Sequence, residues 1–184
     1  VYLINKILVY WNSLTVVKKI FITITILIVV GLKLFYNYAN FTNLNWLIKP
    51  TAHLTGLFLN QTFEYNMEYG YYFPGENMVI NKSCSGLVFF IISICTAIFA
   101  FAPKINGKYF PIAYVLLILS AYLLTILVNS SRILIDQNTK KILGINTSGA
   151  LHETTGVFVY LIFLVCFYLI INQIIKPTRN ESFT

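Results

Sequence analysis

Four apolar runs constrain this chain more than any other feature. Residues 20–38, 84–102, 110–128 and 155–175 are each about as long as the ~20 helical residues that cross a bilayer core of ~30 Å. The last three contain no Asp, Glu, Lys or Arg. The first contains only Lys33, close enough to its outer end for the side chain to snorkel to the interface. Only 10% of the 184 residues are charged, against ~25% in soluble domains, so the chain has too little polar surface to cover itself in water. Lipid accepts the apolar surface at no cost. The expectation is a single domain over 1–184: an all-α integral membrane protein of about four transmembrane helices.

The stretches between the runs have their own patterns. In residues 1–19 the polar side chains Asn5, Lys6, Asn12, Ser13 and Lys19 recur on one helical face, which predicts an interfacial helix in the membrane surface. Tyr36, Tyr38 and Trp46 form an interfacial aromatic belt. Residues 39–83 are the longest polar-containing segment and the one large enough to build a site outside the membrane. Within it, residues 46–58 are amphipathic and predict a helix on the outer surface. Residues 69–73 and 77–81 flank Pro74-Gly75 and predict a small β-hairpin. Residues 103–109 make a short basic loop, residues 133–151 a second outer loop, and residues 176–184 a basic tail. The first apolar run lacks a small-residue cleavage exit and is long enough to remain an anchor. No internal repeat or low-complexity linker is visible.

The net charge of +7 sits at the ends of the apolar runs, where it reads membrane topology and anionic lipid rather than nucleic acid. Lys104 and Lys108 stand alone in a short loop, whereas the opposite loops are long and mixed in charge. That bias places both termini in the cytoplasm.

With that topology, three reactive side chains fall at one depth. Cys84 begins the second span, Arg132 lies just past the outer end of the third, and His152 precedes the fourth. A thiol attacks best as thiolate, and a helix N-terminus and a guanidinium both favour the anion. His152 can exchange the proton as general base and then general acid. Arg132 can stabilise the thiolate or an oxyanion on the attacked carbonyl. Each residue also has a plainer role: Cys84 as inert packing, Arg132 as interfacial anchor, His152 as a helix-start residue beside Glu153, Thr154 and Thr155. Cys95 and Cys166, in mid-span, read as packing residues. His53, on the amphipathic outer segment, reads as a surface residue and the second choice of base.

Other chemistries fit less well. Three cysteines without paired spacing exclude a disulfide framework and a CxxC zinc site. Two histidines and one outer cysteine fall short of a zinc ligand set. Ser83, Ser85, Ser130 and Ser131 lie near the site, but no Gly-x-Ser-x-Gly elbow appears. The span interiors lack the ionisable groups of a transporter or channel.

The motifs resemble those of the exosortase/archaeosortase family. Cys84-Ser85-Gly86-Leu87 at a span start is similar to its cysteine motif. Asn129-Ser130-Ser131-Arg132-Ile133 at a span end resembles its Asn-x-x-Arg motif, and His152 with Gly156 resembles its histidine motif. The order matches, and the resemblance covers roughly residues 56–175. The small size resembles the short forms, the exosortase F type among them, since many members have about eight spans.

The resemblance implies a membrane cysteine peptidase and transpeptidase of a bacterial inner membrane, with its active site on the periplasmic side. It would cut a C-terminal sorting tail from a membrane-anchored protein and pass the cut end to an acceptor. Cys84 would be the nucleophile, His152 the proton-transfer residue and Arg132 the charge stabiliser, with Asn129 and Ser85 in support. No cofactor or metal is implied, and the partners expected are the substrate protein, the lipid bilayer and an undetermined partner subunit. The rival reading is a non-enzymatic membrane scaffold or assembly factor that binds a partner helix and does not need the Cys84 thiol.

Overall fold

The computed structural model describes residues 9–143 and 149–175, with the backbone alone at residues 143, 149–153 and 155. Its elements are α1 (Val16–Tyr38), α2 (Asn45–Leu59), β1 (Glu64–Asn66), β2 (Gly70–Phe73), β3 (Met78–Ile80), α3 (Leu87–Phe101), α4 (Phe110–Leu143) and α5 (Gly149–Ile174). Among the described residues four helices are long and apolar enough to cross a membrane, which makes this an all-α membrane protein with a small appended sheet. Lipid offers the backbone no hydrogen-bond partners, so a span must satisfy its own N–H and C=O groups, as a helix does.

The span including α3 is the central one. Its apolar window is 56% buried, against 11% for α1 and 17% for α5, which turn most of their surface outward. α3 packs against α1, α4 and α5. Since lipid tails are as apolar as leucine, close packing and interhelical polar contacts hold such a bundle together. One polar contact joins the Thr25 and Tyr114 hydroxyls at 3.0 Å.

The far end of the bundle is tied by basic residues. Lys18 donates to the Pro103 carbonyl at 3.4 Å and Lys104 to Asn172 Oδ1 at 2.5 Å. Tyr10 donates to the Phe99 carbonyl at 2.7 Å, and Leu14 is buried in the core. The expected interfacial helix over 1–19 is therefore divided. Residues 9–12 are helical, the helix breaks over residues 13–15, and the first span begins at Val16 rather than residue 20. Residues 1–8 lie outside the described residues.

The outer segment differs from expectation in three ways. First, α2 lies where the amphipathic helix was expected, but it packs into the bundle. Leu47, Ile48, Ala52 and Gly56 are buried, whereas Leu57 and Phe58 are exposed. Pro50 lacks an N–H, so it leaves the Trp46 carbonyl without its helical partner. The Tyr122 hydroxyl of α4 donates to that carbonyl at 2.9 Å, and the two rings stack at 5.9 Å.

Second, the hairpin is one half of a three-stranded antiparallel sheet ordered β1-β2-β3. β2 pairs with β3 through Tyr71↔Ile80, Tyr72↔Val79 and Phe73↔Met78. β1 adds Glu64↔Tyr72, Tyr65↔Tyr71 and Asn66↔Gly70. Its inner face buries Tyr71, Phe73 and Ile80 with Phe63, each buried apolar side chain contributing about 1.5–3 kcal/mol.

Third, the third span does not end at residue 128. α4 runs 34 residues, about 50 Å at ~1.5 Å per residue, so its last turns project well past a ~30 Å hydrocarbon core. Residues 133–143, expected as an outer loop, are helical. Asp136 and Lys140, one turn apart, pair at 2.7 Å and support that extension. The extension holds the sheet through Glu76: Lys141 pairs with its carboxylate at 2.7 Å, and Gln137 donates to its carbonyl at 2.8 Å. The helix of the fourth span starts at Gly149, and its membrane-spanning stretch, Gly156–Ile174, falls where the run over 155–175 placed it. The expected tail over 176–184 lies outside the described residues.

Candidate active site

Cys84 lies in a short 3₁₀ turn, Lys82–Cys84, that connects β3 to α3. Asn81 builds the turn: its Oδ1 accepts from the Ser83 N–H at 3.0 Å and the Ser83 hydroxyl at 2.7 Å. The Ser83 hydroxyl hydrogen is thus committed, and in the 3.8 Å contact between Ser83 Oγ and Cys84 Sγ the thiol is the donor. The α-helix itself begins at Leu87, so Cys84 precedes its first turn, one step earlier than the sequence reading placed it. Ser85 is buried, and its Oγ accepts from the Leu87 N–H at 3.4 Å, which makes it part of the helix start.

Gly86 makes the next turn possible. It has φ +68°, the left-handed region that costs other residues about 1–2 kcal/mol. A Cβ there would also stand 3.1 Å from Asn129 Cγ and 3.2 Å from Thr125 Cγ2. The bare glycine backbone lets α4 approach close enough for Asn129 Nδ2 to donate to the Cys84 carbonyl.

Asn129 is fully buried, and its other end reaches α5: the Tyr160 hydroxyl donates to Asn129 Oδ1 at 3.0 Å. Phe89 of α3 stacks on the Tyr160 ring at 4.7 Å, and the Arg132 guanidinium lies over that ring at 5.5 Å. A Cβ on Gly156 would stand 3.2 Å from Arg132 Cδ, so that glycine gives the arginine stem its seat against α5. The Tyr160 phenol lies within electrostatic reach of both the Arg132 guanidinium and the Cys84 thiol. The turn before α3 and the helices α4 and α5 therefore bring Cys84, Asn129, Arg132 and Tyr160 together at the end of the bundle that bears the sheet. Arg132 Nε and Nη2 are buried there without a hydrogen-bond partner among the described residues. Two unmatched donors on a permanent cation are suited to an acceptor that arrives with a ligand.

His152 lies on α5, about one turn before Gly156 and two before Tyr160; its side chain lies outside the described residues. His53 is exposed on α2, against the Phe63 ring at 4.9 Å. Ser130 donates across to the Thr51 carbonyl of α2 at 3.2 Å, and Ser131 to the Leu127 carbonyl one turn back in α4 at 2.9 Å. Cys166 is exposed on the outer surface of α5 and Cys95 is half-buried in α3. Beside the Cys84 turn, a cleft of about 560 Å³ opens between Tyr36, Asn40, Glu68, Tyr69 and Lys82.

Sequence reasoning missed Tyr160 and Asn81. Tyr160 passes for one more aromatic in an apolar span, although its spacing of i+4 from Gly156 and i+8 from His152 puts all three positions on one helix face. Asn81 gives the turn signature Asn-x-Ser just before the cysteine, a pattern in which the side chain caps the backbone.

A small helical membrane protein with a cysteine and an arginine gathered at one mouth of its bundle is the class that this geometry defines. The family profile described as transmembrane exosortase (Exosortase_EpsH) matches residues 4–170, and the chain belongs to that family. The comparisons found no match among curated proteins and none among solved structures.

Proposed function

We propose that this exosortase-family protein is a membrane cysteine peptidase and transpeptidase with Cys84 as nucleophile. The observation that carries the reading is the link between the Cys84 turn before α3, Asn129 and Arg132 of α4, and Tyr160 of α5: Asn129 joins the Cys84 carbonyl to the Tyr160 hydroxyl, and Arg132 lies over the Tyr160 ring. In the reaction, His152 takes the thiol proton as Cys84 Sγ bonds to the carbonyl carbon of a peptide bond, and Arg132 holds the negative charge on its oxygen. The C–N bond then breaks, and the tail leaves as an amine that takes a proton from His152. A water, amine or hydroxyl acceptor next attacks the thioester and gives up its proton to His152; the C–S bond breaks, and His152 returns that proton to Cys84 Sγ to restore the thiol. The substrate is a membrane-anchored protein with a C-terminal sorting tail. The membrane is the bacterial inner membrane, with the sheet on the periplasmic side. Lys18, Lys104 and Lys108 lie toward the other end of the bundle, which supports that orientation through the excess of basic residues on cytoplasmic sides.

The test is made in cells that express the protein with candidate membrane-anchored substrates. Loss of substrate shortening with Cys84→Ala, at normal membrane insertion, supports the reading. Equal processing by both forms overturns the nucleophile assignment and favours a scaffold that binds a partner helix.

A further inference from the structure

The outer edge of β3 is open. Among the described residues no strand pairs with it, and no backbone hydrogen bond joins it to another element. Beside it lies a cavity of about 540 Å³, walled on one side by residues 75–79 and on the other by Gln137, Lys140 and Lys141 of α4. Val79 is partly exposed there.

Both walls lead to the candidate active site. β3 runs through Ile80 and Asn81 into the turn that holds Cys84. On α4, Asn129, Ile133, Asp136 and Lys140 stand at i, i+4, i+7 and i+11, one continuous stripe. That stripe descends from the cavity to the amide that holds the Cys84 carbonyl. The opposite sheet edge, β1, follows Gln61–Phe63 from the C-terminal end of α2.

We infer that this groove binds the substrate as an extended polypeptide, which adds to the sheet as a strand along β3 and presents its peptide bond to Cys84. An open strand edge offers alternating N–H and C=O groups, which an extended main chain complements. Beyond the groove, toward Cys84, Arg132 Nε and Nη2 have no acceptor among the described residues, and a peptide carbonyl supplies one. The groove's charges are internally paired, Lys140 with Asp136 and Lys141 with Glu76. A neutral main chain fits this lining better than a charged small molecule does. This inference rests on Cys84 being the nucleophile.

The test uses the purified full chain and N-acetyl tetrapeptide chloromethyl ketones with alternating valine and threonine side chains, a length of ~13 Å when extended. Cys84 Sγ displaces chloride, and the adduct is followed by mass spectrometry. A second series carries one backbone N-methyl group at each position in turn. Strand addition predicts that the parent peptide labels Cys84 at least tenfold faster than chloroacetone. It also predicts that N-methylation slows labelling about five- to tenfold at alternate positions only, because only alternate N–H groups face β3. Uniform rates along the series, with Cys84 still reactive to iodoacetamide, overturn the strand and leave the nucleophile standing. A Cys84 inert to iodoacetamide overturns both.

Discussion

The Tyr160 hydroxyl donates to Asn129 Oδ1 at 3.0 Å while the other end of the same amide donates to the Cys84 carbonyl. One buried side chain thus fixes the cysteine turn of α3 against α4 and α5. Asn129→Ala would leave two partly buried polar groups unmatched, at a cost of up to about 1–3 kcal/mol each. The expected result is a lowered midpoint of denaturation in detergent and weaker processing. In a double-mutant cycle with Tyr160→Phe, a coupling of about 0.5–3 kcal/mol is expected. Simple additivity would mean that the two residues do not share this bond in the membrane.

The two glycines of the site make a different prediction, with an internal control. Gly86→Ala must adopt φ +68° and push on Asn129 Cγ at 3.1 Å; Gly156→Ala pushes on Arg132 Cδ at 3.2 Å. A Cβ on Gly31, also helical, would meet nothing within 4 Å. Both site variants are expected to lose most processing at near-normal membrane insertion. Gly31→Ala is expected to keep full activity and gain about 0.5–1 kcal/mol of stability. Substrate cleavage and thermal denaturation of the three variants, run in parallel, check this.

The three cysteines differ in surroundings, and reagents can tell them apart. Cys84 lies at the bundle mouth, half-buried Cys95 packs within α3, and Cys166 is exposed on the outer face of a span. A membrane-impermeant maleimide added to intact cells is expected to label Cys84 alone. A lipophilic maleimide is expected to add Cys166. Labelling of Cys84 only from the cytoplasmic side would reverse the proposed orientation.

The spans, the amphipathic helix and the hairpin turn were legible because each repeats or punctuates a pattern: unbroken apolar runs, a 3.6-residue period, a Pro-Gly pair. β1 was not, because Glu64–Asn66 is a short, partly exposed edge strand held only by its neighbour. The projection of α4 was hidden because Asp136, Lys140 and Lys141 look like loop polarity, although Asp136 and Lys140 stand one helical turn apart. At the site, Cys84, Arg132 and Asn129 could be read from motifs, while Tyr160 acts through three-dimensional contacts that one sequence does not display.

The sheet should weaken at alkaline pH. Burial pushes the Tyr71 hydroxyl above its ordinary pKa of 10.0, although its 2.7 Å bond to Asn45 works in the opposite direction. The folded state therefore holds this proton more tightly than the unfolded state. Its contribution is fully present below pH ~10 and is lost as pH rises through the folded pKa. Tyr71→Phe is expected to cost about 1 kcal/mol at neutral pH, for the lost bond to Asn45, and to flatten the fall in stability above pH ~10. Denaturation of both forms across pH 8 to 11 (roughly the range around the phenol reference value) measures the difference, and parallel curves would defeat the assignment.

Arg132 should trade stability for function. Among the described residues its Nε and Nη2 are buried without acceptors, and each unmade bond costs about 1–3 kcal/mol. Its contact with the Tyr160 ring returns about 0.5–2 kcal/mol, less than two unmade bonds cost. Arg132→Met keeps much of the volume and removes both the charge and the orphaned donors. It should therefore denature at the same temperature or about 2–4 °C higher, and it should abolish processing. Arg132→Lys keeps the charge without the planar fork, so intermediate activity would point to charge stabilisation and full loss to a requirement for paired donors. A Met variant that unfolds well below the parent yet still processes substrate would make Arg132 a structural tie between α4 and α5, and the oxyanion would then need another donor.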